Sequence, residues 1–144
     1  MVSAYPACFI KEEKGYSVIF PDLNYLGTCG ASVEEAFAMA VDCLAGYLYW
    51  LQQDDENVPE PSKLSDVKIE DLMRELEIES EEFFVNMVTV DVKEYAKVHF
   101  EKAVKKTLTI PAWLNKLALE QEVNFSQVLQ EALKERLKCN KAKV

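Results

Sequence analysis

The chain has 144 residues, enough for one ordinary domain or two small ones. With 49% hydrophobic and 28% charged residues its composition is globular, and a net charge of -9 argues against non-specific binding of nucleic acid or membrane by the molecule as a whole. The charge is divided. Residues 1–98 hold 7 Lys/Arg against 20 Asp/Glu, a net -13, while residues 99–144 hold 9 against 5, a net +4. Such asymmetry points to two modules with different partners. Cys8, Cys29, Cys43 and Cys139 form no CxxC pair, and the single histidine, His99, is remote from them in sequence. No metal or cofactor is expected, and the cysteines read as small buried hydrophobes of a reducing cytoplasm. The first residues, MVSAYPACFIKEEKG, lack the long apolar core of a signal peptide, and no run approaches the ~20 apolar residues of a membrane span.

In chain order, YPACFI (5–10) and YSVIF (16–20) flank the polar KEEKG, a hairpin pattern. PDLNYLG (21–27) breaks the second strand, and TCGA (28–31) reads as a short third one. Ser32 and Glu35 form an S-x-x-E capping box, in which the serine accepts from the Glu35 amide and the glutamate returns to the Ser32 amide. A helix is expected from there, with Phe37, Ala40, Val41, Leu44, Leu48 and Leu51 on its buried face and Tyr47, Tyr49 and Trp50 widening the apolar surface. DDENVPEPSKLSD (54–66) is a polar loop with two prolines. IEDLMREL (69–76) suits a short helix and FFVNMVTVDV (83–92) a strand rich in valine and aromatics. The first module therefore reads as α+β, β-β-β-α-β with a further short helix before the last strand, and with a helix on one face of the sheet. Residues 93–103 read as a connector.

In VKKTLTIP (104–111), Leu108 and Ile110 share one strand face, while Lys105, Thr107 and Thr109 share the other. Pro111 suits the start of a helix. Leu114, Leu117, Ala118 and Gln121 form the stripe of that helix, and VNF (123–125) makes a turn. Ser126 is placed to cap a last helix that buries Val128, Leu129, Ala132, Leu133 and Leu137. Trp113 reads as a packing residue, and Lys138, Lys141 and Lys143 as a solvated tail. One strand and two helices in roughly 40 residues are too few to fold alone. The lone strand also leaves an edge unpaired. Two chains that pair their strands and intertwine their helices remove both problems.

Strand, proline, helix, turn and serine-started helix resemble the ribbon-helix-helix fold of bacterial and phage repressors. In that family the paired strands enter the major groove, so the resemblance assigns base reading to Lys105, Thr107 and Thr109. It assigns a phosphate contact to Asn124, Phe125 and Ser126, at the start of the second helix. The N-terminal part is similar to the HicB antitoxin family. The motifs that carry this are Tyr5-Pro6-Ala7, Phe20-Pro21-Asp22-Leu23 and Gly30-Ala31-Ser32-Val33-Glu34-Glu35-Ala36, in that order. The chain departs from the family's pattern at Asn24-Tyr25-Leu26, where Pro-Gly-Cys is common, and at Glu122-Val123, where the turn often carries glycine.

The resemblance implies a partial RNase H-like or dsRBD-like domain over residues 1–98 and a ribbon-helix-helix domain over 99–144. It implies a homodimer through residues 104–138, with a higher oligomer also compatible. It further implies an antitoxin that neutralises a small HicA-type ribonuclease and represses its own operon by binding operator DNA. Toxin contacts are then expected at Asp22, Asn24, Tyr25, Glu34 and Glu35. Three of these have a bland alternative: Asp22 caps a turn, and Glu34 and Glu35 sit in a helix's first turn, where negative charge is stabilising. The chain is not expected to be an enzyme. Two-metal nuclease chemistry needs several converging carboxylates, the three strands before the first helix carry none, and Asp22 and Asp91 at strand ends do not make a site. A repressor whose N-terminal module senses a small ligand is the alternative function.

Overall fold

A computed structural model describes residues 1–141, with side chains through Lys138. Thus Lys143 lies outside the described residues, as do the side chains of Cys139 and Lys141. The backbone divides into two compact units, Met1–Ala103 and a second beginning at Val104.

In the first unit, strands β1 (Val2–Lys11), β2 (Tyr16–Phe20), β3 (Leu26–Gly30) and β4 (Phe83–Asp91) form an antiparallel sheet in the order β3-β2-β1-β4. Helix α1 (Val33–Gln53) follows β3. Helix α2 (Ile69–Glu75) precedes β4, and α3 (Val92–His99) follows it. Tyr5, Ala7, Phe9, Val18, Phe20, Val88 and Val90 face the buried side of α1, where Ala36, Ala40, Leu44, Ala45 and Leu48 lie. Phe9 stacks between Phe37 and Phe84, with ring centroids 4.3 and 4.9 Å away. Cys8, Ile10 and Ile19 point the other way, onto Ile69, Leu72 and Met73 of α2. The sheet is therefore covered on both faces, where the sequence suggested a helix on one. The unbroken apolar run of β1 is the reason. An alternating strand needs one cover; Tyr5 to Ile10 are all buried and need two. Pro6 is tolerated in this central strand because the β1–β2 ladder begins only at Cys8.

The stretch read as a connector, 93–103, is mostly helix α3. Asp91 starts it by accepting from the Glu94 amide at 3.2 Å, and this bond holds the carboxyl below its usual range. Phe100 then packs against Tyr49 and Tyr95. The capping box at α1 is also slightly displaced. Ser32 Oγ accepts from the Glu35 amide at 3.1 Å, but Glu35 returns to the Ala31 amide at 3.0 Å, one residue earlier than expected.

The second unit contains α4 (Ala112–Glu120) and α5 (Phe125–Lys141). Pro111 is the residue before α4, and its fixed φ of -58 directs the entry. Residues 101–111 carry no regular structure in the single chain and are exposed. The α4–α5 turn closes without glycine. Glu122 takes a left-handed φ of 54, its amide donates to Leu119 and the Val123 amide to Ala118. A β-carbon in that region costs roughly 1 kcal/mol. Glu122→Gly should therefore stabilise this unit by about 1 kcal/mol. A urea midpoint that stays put or falls would contradict this.

Candidate functional site

The residues expected to meet a protein partner lie at the two ends of β3. Past its first end, a 3-10 turn at Pro21–Leu23 leads into Asn24 and Tyr25, both left-handed with φ of 59. The sequence departs there from glycine, so two side-chain-bearing residues hold a conformation that glycine adopts freely. Asn24 is exposed, and the Tyr25 hydroxyl donates to Glu75 of α2 at 3.0 Å, which raises the tyrosine's pKa. Asp22 reaches away from its own turn, which has no side-chain cap bond. Its carboxylate accepts from the Ser62 amide at 2.7 Å and from Ser62 Oγ at 2.6 Å. The Tyr5 hydroxyl donates to the Pro59 carbonyl. Together these three bonds tie the proline-bearing loop to the sheet and the turn that follows β2. Ser62 was not legible as a partner, because 40 residues separate it from Asp22. Asp22 and Tyr25 share a shallow hollow with Ser62, Asp66, Asp71 and Glu75. Beyond the other end of β3, Glu34 is exposed in the first turn of α1, and Glu35 is engaged with Ala31. The structure thus brings Asp22 and Tyr25 together and sets Glu34 and Glu35 apart from them along one strand.

In the second unit, Lys105, Thr107 and Thr109 are exposed in the segment before α4. Asn124, rather than the expected Ser126, caps α5: its Oδ1 accepts from the Gln127 amide at 3.1 Å. Ser126 lies inside the first turn, where its Oγ accepts from Gln130 Nε2 at 3.2 Å. Phe125 is partly exposed at the helix start. The stripe expected to be buried is open in the single chain: Leu114, Leu117, Val128, Leu133 and Leu137 are each 41–57% exposed, and Trp113 is 65% exposed. Two helices of 9 and 17 residues with no sheet beneath them cannot cover both of their own apolar sides.

The cysteines differ in setting. Cys8 is buried, and burial pushes its thiol up to about 11, which makes it inert. Cys43 is half-buried, its pKa raised by burial, and Cys29 is exposed rather than buried as expected. Among the described residues no group of three or more His, Cys, Asp or Glu is placed to hold a metal ion. No helix of the described residues is long and apolar enough to cross a membrane.

Comparison with known proteins gives concordant matches. "Antitoxin HicB 2" of Photorhabdus laumondii subsp. laumondii is 36% identical over 66 residues, spanning 46% of this chain and about half, 48%, of that relative's length. An uncharacterised 14.9 kDa protein of Haemophilus phage HP1 is 29% identical over 110 residues, 76% of this chain and 74% of that one. A chain from a structure described as a toxin-antitoxin complex from Streptococcus pneumoniae is 34% identical. It aligns over 94% of this chain and 99% of that one, with a TM-score of 0.60. The sequence model described as "HicB_like antitoxin of bacterial toxin-antitoxin system" matches residues 5–132, nearly the whole molecule, and the chain therefore belongs to the HicB-like antitoxin family.

Proposed function

We propose that this chain neutralises a small HicA-type ribonuclease toxin through residues 1–98 and represses its own operon through residues 99–144, in the cytoplasm. Two copies pair residues 104–110 into an antiparallel ribbon and interlock α4 and α5, a ribbon-helix-helix dimer. The ribbon buries Leu108 and Ile110 and turns Lys105, Thr107 and Thr109 toward base edges in the major groove. The first turn of α5, at Asn124, Phe125 and Ser126, offers its amides to a backbone phosphate.

The observation that carries the DNA-binding half is the exposed apolar surface of the second unit. Leu108, Ile110, Leu114, Leu117, Val128, Leu133 and Leu137 are all exposed in a segment of net positive charge. So many exposed apolar side chains within one small unit mark an interaction site, and a second copy offers the same residues in a symmetric arrangement. The toxin-binding half rests on the family and on the net -13 of residues 1–98, which suits a basic RNA-binding partner. The similar chain from Streptococcus pneumoniae also belongs to a toxin-antitoxin complex. Asp22, Asn24, Tyr25, Glu34 and Glu35 are the contact residues of this proposal. Membership of an antitoxin family makes the chain a binding protein and not an enzyme.

Co-expression with a HicA-type toxin, sought in the reading frame next to this one, tests the first half: a purified complex and relief of growth arrest are expected. Absence of both would remove the antitoxin reading. Lys105→Ala and Thr107→Ala test the second half. Each should weaken specific operator binding by about 1–3 kcal/mol, read in a titration at fixed salt. Wild-type affinity in both variants would remove their assignment as base readers.

A further inference from the structure

We propose that the open edge of β3, together with the side of α1 beside it, is a docking groove for an extended segment of the basic partner, which pairs with β3 as a fifth strand. The inference rests on the toxin-binding reading and adds its place and mode.

The hydrogen-bond parity of the sheet identifies which groups face outward. The Met87 amide donates to Asn86 Oδ1 at 2.9 Å, so Met87 points away from its β1 partner Pro6. Inward and outward groups alternate along an antiparallel strand. The alternation carries through the register, in which Tyr5 pairs with Val88, Cys8 with Ile19 and Val18 with Thr28. Leu26, Thr28 and Gly30 therefore bond to β2, and Gly27 and Cys29 face the open edge. An independent contact agrees with this assignment: the Cys43 thiol donates a long, weak hydrogen bond, Sγ to oxygen 3.8 Å, to the outward Gly27 carbonyl, a bond that an incoming strand would displace, while no side chain of the described residues bonds the outward Gly27 and Cys29 amides. Gly27 and Cys29 are both exposed. The edge of β3 carries no proline, no charged side chain and no bulge, the devices that usually blunt such an edge. On the β4 edge, by contrast, the Asn86 side chain occupies an outward amide.

A strand added here would lie along α1. Met39, Cys43, Tyr47 and Trp50 recur at spacings of four, four and three, so they share one side of the helix. Cys43 places that side against Gly27. Met39 is 39% and Trp50 64% exposed, and Tyr47 and Cys43 are partly buried between them. An apolar helix stripe beside an unpaired edge gives an incoming strand both main-chain partners and a floor for alternate side chains. The occupant follows from charge. Glu34 and Glu35 bracket one end of β3, and Asp22 and Glu75 flank the other. Residues 1–98 carry a net -13. Two such modules edge to edge would repel, whereas a segment flanked by lysine or arginine is attracted.

The test uses the 144-residue chain and a HicA-type toxin that it binds. Amide exchange of Gly27 and Cys29 should be fast in the free protein and slow by roughly 100-fold in the complex. Cys29→Pro removes an outward N–H without breaking a ladder bond, so it should raise the Kd for the toxin roughly 10- to 100-fold with the melting temperature nearly unchanged. Trp50→Ser, at a surface position, should weaken the complex independently and covers the case in which the proline variant misfolds. A complex that leaves both amides unprotected, or that forms at wild-type Kd with Trp50→Ser, would overturn the proposal alone. Concentration-dependent protection in the free chain would give the edge to a second copy and overturn it as well. No complex with the wild-type chain would overturn the antitoxin reading and this proposal together.

Discussion

Gly30→Ala is expected to unfold the N-terminal unit or to leave it barely stable. A β-carbon at Gly30 would lie 2.4 Å from the Ala36 amide nitrogen and 2.7 Å from Ala36 Cα and the Glu35 carbonyl carbon. All three are backbone atoms, so no rotamer change relieves the clash. Nor is the backbone free to retreat. Gly30 pairs with Tyr16 in the sheet, and the first turn of α1 is held by the Ser32 cap and the Glu35–Ala31 bond. Gly15 presses on the same point from the hairpin: a β-carbon there would lie 2.2 Å from the Gly30 carbonyl oxygen, and its φ is 90. Overpacking of this kind costs about 3 kcal/mol or more where the surroundings cannot shift, against a total stability of roughly 5–15 kcal/mol for a domain. The check is a urea titration followed by a tyrosine or tryptophan signal. A midpoint within error of the wild type would show that the β3–α1 junction is looser than these distances imply.

Leu133→Asp is expected to abolish association through the C-terminal unit. Leu133 is 50% exposed in the single chain, within the α5 stripe that also carries Val128 and Leu137. If two copies bury this stripe against each other, symmetry brings the aspartate in twice. Each burial removes a leucine contact and forces an unpaired carboxylate out of water, at about 3 kcal/mol or more per site. The dimer dissociation constant should rise by roughly a thousandfold or more, and operator binding should vanish with it. Sedimentation over a concentration series reads the first effect and a DNA titration the second. Toxin binding should persist at high protein concentration, because residues 1–98 are untouched. A variant that still sediments as a dimer of wild-type affinity would place the self-association elsewhere and withdraw the ribbon-helix-helix proposal.

These two positions differ in how far they were legible. Leu133 belongs to a helical stripe that any periodicity analysis finds, yet its partner is not in the chain at all. Gly30 sits in a motif of the resemblance, and the atoms that demand glycine, of Glu35 and Ala36, lie within that motif; what the residue pattern does not show is how closely the first turn of α1 folds back on β3. Asn24 and Tyr25 lie between these cases. The missing glycine is plain in the sequence; the left-handed backbone held beside Glu75 is not.

The sequence by itself determined what depends on near neighbours. Ser32 starts α1 because the Glu35 amide is three residues away, and the sign of the charge changes where the second unit begins. The apolar stripes of α1 and α5 follow from helical spacing, and the family follows from three short motifs in order. The tertiary structure alone decided what depends on residues far apart. It set Ser62 on Asp22 across 40 residues and tied Tyr95 to Asp42 across 53. It also brought α2 onto the second face of the sheet, and it made β3 an edge strand, with the outward groups of Gly27 and Cys29 on its open side. Caps and periodicity are written in bonds that close within a helical turn. Which surface is covered, and which is left open for a partner, is settled only when distant segments compete for the same apolar area.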